Sequence, residues 1–243
     1  MNNPNASLRL VRVALGLLLA GAAAGCGVQG SGRVIVEERS VGAFSSIAVT
    51  GEADVHLVDG GGPVTVTTDD NLIQYVETAV VGGELRVGTR GAVGLLPSHG
   101  LVVRVPLITP ISALRISGSG SLESELPGLL AGDTLHLVVS GSGSLDLPLD
   151  VTELSLDVSG SGSARLRGHA TRTRLDVSGS GSVQAYTLEV RSATVQLGGS
   201  GSVELSVTDE LDTRLTGSGS LHYRGSPQVH SDVSGSGSIV HDQ

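Results

Sequence analysis

Residues 154–167 read Leu-Ser-Leu-Asp-Val-Ser-Gly-Ser-Gly-Ser-Ala-Arg-Leu-Arg. Apolar or glycine residues occupy every even position of this stretch, and serine, aspartate or arginine occupies every odd one. Because a one-residue slip would turn a buried strand face to solvent, an alternation that runs unbroken through the glycines indicates a paired β-strand. The alternative is a flexible linker, for which this Gly/Ser composition is typical but which requires no alternation.

The Ser-Gly-Ser-Gly-Ser segment is repeated along the chain. Copies begin at Ser117, Ser140, Ser159, Ser178 and Ser234, and near-copies begin at Gly198 and Thr216. Successive starts are separated by 23, 19, 19, 20, 18 and 18 residues. A period of this length suits one coil of a β-solenoid, whereas helical repeats need roughly thirty residues or more. The sequence therefore predicts an all-β fold: a parallel β-solenoid, right-handed and β-helix-like, with coils of about 18–23 residues.

The glycines of the repeat take the inward parity and the serines the outward one. This predicts a sharp corner, where the backbone needs a φ that glycine adopts readily or where the opposite wall comes too close for a Cβ. Outward serines of successive coils would stack into a ladder of hydroxyl groups. At about 4.8 Å per coil, roughly eleven coils would form a rod on the order of 50 Å long. The irregular N-terminal region and His241-Asp242-Gln243 are the expected caps.

The N-terminal third of the body alternates less regularly. Gly51-Glu52-Ala53 lies between two alternating stretches and is a degenerate copy of the corner. The segment from Asn71 to Val81 contains spaced apolar residues, but it is short and β-branched, and we interpret it as a strand. No linker long enough to divide domains interrupts residues 33–243, which predicts a single solenoid domain.

The first 25 residues have the pattern of an export signal. Arg9 and Arg12 precede an apolar run from Val13 to Ala24, which is too short to span a bilayer but has the length of a signal-peptide core. The run ends in Ala-Ala-Gly-Cys at Cys26, which resembles a bacterial lipobox, with alanine where leucine is usual. We predict a lipoprotein signal peptide at 1–25, lipidation at Cys26 and a short tether at 26–32.

Two other interpretations of this segment remain open: an ordinary signal cleaved after Ala24, and an uncleaved anchor. Cys26 is the single cysteine of the chain and so cannot form an internal disulfide, which favours lipidation. Loss of Arg9 and Arg12 lowers the net charge from −9 to −11. Gly27, rather than aspartate, follows the cysteine, and in a Gram-negative organism this resembles lipoproteins sent to the outer membrane.

Composition excludes several other classes. The chain has 15 basic and 24 acidic residues, and all the basic ones are arginine, so nucleic-acid binding through the phosphate backbone is not expected. An apolar content of 39% is too high for a disordered acidic tail. Only four residues are Phe, Tyr or Trp, which predicts a core of Val, Leu, Ile and Ala.

The sequence resembles the bacterial family called putative auto-transporter adhesin, head GIN domain (DUF2807). The resemblance covers residues from about Gly32 to the C-terminus. It rests on four features: residues 41–51, the strand Leu85-Arg86-Val87, the serial corners, and Tyr-Arg-Gly-Ser-Pro at 223–227 before the last corner. The family implies a β-helix-like fold on exported, often lipid-anchored bacterial proteins, and it has no catalytic residues to carry over.

Candidate chemistry is sparse. His230 and Asp232, like Asp54 and His56, lie two residues apart and would share a strand face, as they would on any solvated strand. Asp157 and Asp176 would be neighbours on adjacent coils and form a small acidic pair suited to Ca²⁺, but the column they belong to is mixed. We therefore predict no metal site and no cofactor.

The sequence motifs that resemble catalytic ones are explained by the Gly/Ser repeat. The Gly-rich corners are followed by strands rather than by a helix with lysine, which excludes a phosphate loop. Gly-x-Ser-x-Gly occurs only through repetition, without the strand–turn–helix context of a nucleophilic serine. We therefore expect a protein that is not an enzyme.

Four arginines, Arg165, Arg167, Arg172 and Arg174, form the main basic cluster. They are the best candidates for contacts with a glycan or another cell-surface partner. The expected function is that of a lipid-anchored envelope protein with an adhesin-like solenoid, which interacts with surfaces or supports the envelope. A polysaccharide-active β-helix enzyme and a purely structural envelope protein are the alternatives.

Overall fold

The structure, a computed structural model, describes residues 27–91, 94–107 and 110–243. The signal peptide and Cys26 lie outside these ranges. The described chain is nearly all strand, with one short 3-10 helix at Ile73–Tyr75. The strands are β1 Val28–Gln29, β2 Val34–Arg39, β3 Ser46–Gly51, β4 Asp54–Asp59, β5 Val64–Asp69, β6 Val76–Val81, β7 Glu84–Thr89, β8 Leu95–Leu96, β9 Val102–Leu107, β10 Ala113–Gly118, β11 Ser121–Ser124, β12 Leu130–Gly141, β13 Ser144–Gly160, β14 Ser163–Gly179, β15 Ser182–Gly199, β16 Ser202–Gly217, β17 Ser220–Arg224, β18 Gln228–Gly235 and β19 Ser238–His241.

Strands β10 to β19 stack as parallel coils. The first glycine of each corner marks the register, because it pairs with the equivalent glycine of the neighbouring coil. The column is Gly51, Gly118, Gly141, Gly160, Gly179, Gly199, Gly217 and Gly235. From Gly118 onward these glycines are 18 to 23 residues apart, so the predicted parallel β-solenoid and its coil length are confirmed.

Each central coil is one long, bent strand. The strands β13, β14, β15 and β16 contain 17, 17, 18 and 16 residues. In β14 the chain leaves one corner at Ser163, bends near Gly168, whose φ is 110°, and enters the next corner at Gly179. We call the outward side of residues 172–178 and their register partners the entry face. The outward side of residues 163–167 and their register partners is the exit face.

The inward positions are aliphatic and almost completely buried. In β13 the inward residues are 2% exposed or less at Leu145, Leu147, Leu154, Leu156 and Val158. Their register partners in neighbouring coils extend the same layers along the stack. The core is therefore a set of continuous aliphatic columns, as the shortage of aromatic residues predicts.

The corner requires glycine for two different reasons. Gly160 has a φ of 100°, and a Cβ at this position would lie 2.6 Å from the carbonyl oxygen of Gly141 in the preceding coil. Gly162 is buried, and a Cβ there would lie 2.5 Å from Cγ1 of Val139. The close approach at the corner is therefore to the neighbouring coil, and not to the opposite wall as the sequence suggested.

The corner is also part of the hydrogen-bonded sheet. The Ser161 N–H donates to the Gly141 carbonyl at 2.8 Å, and the Ser163 N–H donates to the Gly143 carbonyl at 3.0 Å. Equivalent pairs occur at every later corner. The expected ladder of hydroxyl groups forms at one step among these corners, where Ser117 Oγ and Ser140 Oγ lie 3.1 Å apart. At the other steps the backbone ladder joins the corners, because short side chains at the coil spacing of about 4.8 Å barely reach one another.

The N-terminal region is built differently. β3 and β4 form the first glycine-cornered coil, and β7 and β9 lie parallel to them. Beyond these, β2, β5 and β6 add antiparallel pairings, namely β2–β5, β5–β9 and β6–β7. The solenoid therefore makes about seven turns. The expectation of eleven coils was wrong, because much of the chain before β10 forms antiparallel strand pairs instead of further parallel coils.

The segment 71–81 is only partly a strand. The Leu72 N–H donates to the Asp69 carbonyl, and the Tyr75 N–H donates to the Leu72 carbonyl, both at 2.9 Å. These bonds form a tight turn with Leu72 fully buried, and the strand begins only at Val76. The turn reverses the chain between β5 and β6, a change of direction that an alternating pattern does not encode.

Candidate binding face

The entry face consists of three columns of outward side chains and a fourth, at the corner, of mainly serine residues. Each column gathers one residue from each coil between β12 and β18, because parallel register places equivalent positions side by side. The first column is Thr134, Glu153, Arg172, Ser192, Glu210 and Gln228. The second is His136, Ser155, Arg174, Thr194, Asp212 and His230, and the third is Val138, Asp157, Asp176, Gln196, Arg214 and Asp232.

Two shallow cavities lie along these columns. A cavity of about 570 Å³ runs across five coils, with the side chains of Glu153, Arg172 and Arg174 among its walls. A second, of about 390 Å³, lies nearer the C-terminal end, between the second and third columns. Asp212 and Thr194 line both cavities. The entry face is thus a grooved strip of polar side chains that crosses the coils.

Each arginine of the entry face has a carboxylate neighbour. The Arg172 Nε donates to Glu153 Oε1 at 2.6 Å, and Arg214 lies 3.1 Å from Asp232 on the neighbouring coil. Arg174 lies 3.9 Å from Asp176 on its own strand. Exposed pairs of this kind contribute about 1 kcal/mol or less to stability, so their main effect is to orient the guanidinium groups.

The structure divides the four arginines singled out from the sequence into two pairs. Arg172 and Arg174 lie on the entry face and line the 570 Å³ cavity. Arg165 and Arg167 precede the bend at Gly168 and lie on the exit face. The two pairs therefore belong to different surfaces, which spacing along the chain did not reveal.

The exit-face arginines have their own partners. The Arg165 Nη2 donates to Gln184 Oε1 at 2.9 Å, and Arg167 donates to Asp146 Oδ1. Arg165 and Asp146 line a smaller cavity of about 180 Å³. The exit face thus offers less room for a ligand than the entry face does.

Of the two His–Asp pairs considered for metal binding, Asp54 and His56 each have another polar partner, whereas His230 lies beside carboxylates of the neighbouring coil. Asp54 accepts a hydrogen bond from the Ser121 hydroxyl at 2.7 Å, and His56 Nδ1 lies 2.9 Å from Glu125 Oε1. Asp157 and Asp176 are neighbours in register, as the 19-residue spacing predicts.

A donor group that the sequence did not reveal lies at the C-terminal end of the entry face. Donor atoms of Glu210, Asp212 and His230 all lie within 4.8 Å of one another, and all three residues are exposed. Carboxylate oxygens and imidazole nitrogen are ligands for Zn²⁺ and related ions. The register spacing of 18 residues between Asp212 and His230 could have revealed that they are neighbours.

A second cluster surrounds Tyr186, at a register shift in β15. The Tyr186 hydroxyl donates to the Asp242 carboxylate, which lies 3.3 Å from His222 Nδ1. The Arg224 guanidinium lies over the Tyr186 ring, 4.2 Å from its centroid. Burial, with the hydrogen bond to Asp242, raises the pKa of Tyr186 to about 12, and the same bond lowers the pKa of Asp242. The phenol thus stays protonated and fastens the C-terminal segment to the exit face.

One carboxylate is buried at the other end of the molecule. Asp69 has no exposed surface and accepts hydrogen bonds from the Gly32 N–H, the Ser98 N–H and the Ser98 hydroxyl, each at 2.7 Å. The two bonds from Ser98 are the main reason that the pKa of Asp69 is lowered from 3.8. Asp69 therefore ties the first described residues and the loop around Ser98 to the solenoid.

The fold and the polar strip define a protein of the parallel β-solenoid class with a grooved outer wall. The chain belongs to the family described as putative auto-transporter adhesin, head GIN domain, whose model matches residues 43–227. This match confirms the resemblance based on the corners and the Tyr-Arg-Gly-Ser-Pro segment. No functionally curated protein matches the sequence.

Several solved structures share this fold. A putative adhesin from Bacteroides fragilis NCTC 9343 superposes with a TM-score of 0.80 at 21% identity, covering 89% of this chain and all of that one. A putative lipid binding protein from Parabacteroides distasonis ATCC 8503 gives a TM-score of 0.76 at 24% identity, covering 89% and 99%. A putative adhesin from the same strain gives 0.72 at 24% identity, covering 89% and 100%.

Within the ranges that the structure describes, no helix is long and apolar enough to cross a membrane.

Proposed function

We propose that this chain is an exported, lipid-anchored protein of the bacterial cell envelope that binds a polar surface partner through its entry face, without catalysing a reaction. The observation that supports this most directly is the continuous polar strip with its 570 Å³ cavity, which crosses five coils. A repeated set of fixed side chains suits a repeated ligand, and a glycan chain is the partner class that offers one.

The character of the strip favours binding by many weak contacts. Arg172 and Arg174 line the cavity, and each has a carboxylate neighbour. The arginine guanidinium can donate two parallel hydrogen bonds to a carboxylate, and neighbouring serine and threonine hydroxyls can both donate and accept hydrogen bonds. A sugar polymer with hydroxyl and carboxylate groups would find a partner on every coil.

Membrane attachment is proposed on the lipobox at Cys26. A thioether-linked lipid at this position would place the solenoid directly above the membrane, since only a few residues separate Cys26 from β1. Labelled palmitate should be incorporated by the wild-type full chain expressed in a Gram-negative host and not by the Cys26→Ala variant. Labelling that persists in the variant would disprove lipid anchoring.

The binding role is tested with a glycan array and whole bacterial and epithelial cells. Replacing Arg172 and Arg174 together by alanine should lower binding roughly tenfold, while the same change at Arg165 and Arg167 should leave it within about twofold. Equal losses in both variants would contradict the entry face as the binding surface. Full binding retained by both variants would move the binding surface away from the entry face. No binding by wild type would favour a purely structural protein, and release of cleaved glycan would favour an enzyme.

A further inference from the structure

The two ends of the solenoid are finished differently. At the N-terminal end the outermost parallel strands, β7 and β9, each continue into antiparallel partners, β6 and β5. At the C-terminal end, among the described residues, β18 pairs only with β16, and β19 only with β17. One side of the last coil therefore presents unpaired backbone groups, which is the usual site of strand addition.

The core is also uncovered at this end. Val233 has the inward parity of its register partner Leu215, yet Val233 is 45% exposed whereas Leu215 is 1% exposed. Val229 and Ile239 are only half-buried against the core. The apolar columns thus end at a surface that still has the shape and spacing of a coil interface.

The direction of the backbone groups in β18 follows from its neighbours. The His136 N–H donates to the Ser112 carbonyl of the preceding coil at 2.9 Å, and His230 lies in the same column of register partners as His136. Backbone groups of successive residues in a strand point to opposite edges of that strand. The N–H and C=O groups of the even-numbered residues of β18 therefore bond to the preceding coil. The N–H and C=O groups of Val229, Ser231 and Val233 therefore point out of the open end.

The sequence of β18 is self-complementary about Ser231. Reading outward in both directions, the residues are His230 and Asp232, then Val229 and Val233. One pair is a base and an acid on the outward side, and the other is two valines on the inward side. An antiparallel partner strand with the same sequence would match both pairs at once.

We propose that two copies of this chain join end to end through β18, antiparallel, with a two-fold axis at Ser231. In this register the open backbone groups of Val229 bond those of Val233 of the partner subunit, and Ser231 bonds its own counterpart. His230 then lies opposite Asp232 of the partner subunit, in the non-hydrogen-bonded pairing where side chains approach most closely. The valine pairs extend the core from one molecule into the other.

A second copy is the occupant that this strand fits best. A two-fold interface requires a patch that complements itself. In β18 the basic His230 meets the acidic Asp232, the core-facing Val229 meets the core-facing Val233, and the free backbone groups of both strands face each other. Head-to-tail stacking would instead set this coil against the antiparallel strands of the other end, which offer no matching parallel edge. The inference does not depend on the proposed binding function.

A disulfide test addresses the register directly. In the full chain carrying Cys26→Ala, Ser231→Cys places two thiols across the two-fold axis, where Cα atoms of a hydrogen-bonded pair are about 5.5 Å apart and within disulfide range. Val229→Cys is the matched control, because its own counterpart would lie four residues away. Mild oxidation should link Ser231→Cys at least about tenfold more than Val229→Cys. Equal or absent linkage in both would overturn the proposal.

Charge exchange gives a second, independent test by sedimentation equilibrium. The wild-type chain should show twice the monomer mass, and His230→Asp should weaken dimerisation roughly tenfold, since two like-charge pairs form. The double exchange His230→Asp with Asp232→His should restore it. Val36→Lys, on the exposed edge of β2, should have no effect. A monomeric wild type, open-ended filaments, or failure of the double exchange to restore the dimer would each contradict the model.

Discussion

The stack of coils from β12 to β16 and the region from β2 to β9 use the same alternating residues in two different ways. In the stack every strand is parallel to its neighbours and every corner carries glycine. In the N-terminal region antiparallel pairings adjoin two parallel pairs, β3–β7 and β4–β9, and the corner Gly51-Glu52-Ala53 lacks the second glycine.

The difference lies in what each glycine contacts. A Cβ at Gly160 would meet backbone of the neighbouring coil, whereas a Cβ at Gly51 would have no atom within 4 Å. Repetition therefore constrains the corner because each coil closes on the one before it. The first corner has no such predecessor, and its sequence is correspondingly free.

The largest expected effect comes from a shift of parity. Deleting Asp157 from β13 should prevent folding, because the remaining half of the coil would turn its leucines outward between two fixed neighbours. Deleting Gly61, in the exposed turn between β4 and β5, should leave the fold intact. Circular dichroism and a urea unfolding curve would compare the two. A cooperative wild-type-like transition for the Asp157 deletion would show that the coils are not locked in register.

Next in size is the addition of a single methyl group at two equivalent corners. Gly51→Ala should lower the free energy of unfolding by about 1–2 kcal/mol, the cost of a left-handed φ for a residue with a Cβ. Gly160→Ala should lower it by at least about twice as much, because the same strain is joined by a contact with the Gly141 carbonyl. Guanidinium unfolding midpoints measure both, and equal losses would contradict the role of the neighbouring coil.

A local, pH-dependent effect is expected at Asp69. Its pKa is lower in the folded chain than in the unfolded one, so ionisation stabilises the fold above pH 3.8, and this stabilisation is lost as pH falls through the folded value. Hydrogen exchange at Gly32 and Ser98 should accelerate over that range. Asp69→Asn should remove the pH dependence, while Asp133→Asn, at an exposed position in β12, should not. Unchanged exchange at low pH in wild type would exclude this role.

The smallest effect concerns the exposed pairs of the entry face. Arg172→Ala should change the free energy of unfolding by less than about 1 kcal/mol, since both members of the Arg172–Glu153 pair are largely solvated. Raising the salt concentration should reduce the difference further. A loss of several kcal/mol, measured by urea unfolding, would mean that outward side chains, and not only the core, hold the coils together.

The same contrast explains what could be predicted from the sequence. The corners, the inward leucines around Val158 and the coil length follow from short-range periodicity, because parity and period are properties of neighbouring residues. The antiparallel pairing of β2, β5 and β6 does not, since alternation is identical for parallel and antiparallel strands. The turn at Leu72 was missed for the same reason.

The candidate site was predicted less well than the fold. Arg165 and Arg174 look alike in sequence, and only the bend at Gly168 assigns them to different faces. Tyr186 acquires its partner Asp242 through a register shift and a contact between residues 56 positions apart. Asp212 and His230 lie on neighbouring coils. Their contact could be predicted only by aligning the repeats with one another, because the two residues are 18 positions apart in the chain.

The corner ladder has a consequence for length. Each corner offers the next coil the same carbonyl groups, and Ser144, Ser163 and Ser182 occupy equivalent places in successive coils. Removing or duplicating the unit 163–181 would therefore leave a junction between coils with the same corner hydrogen bonds as the existing junctions. Each added or lost coil changes the length of the solenoid by about 4.8 Å. Evolution can therefore lengthen or shorten the protein one coil at a time while both ends stay the same.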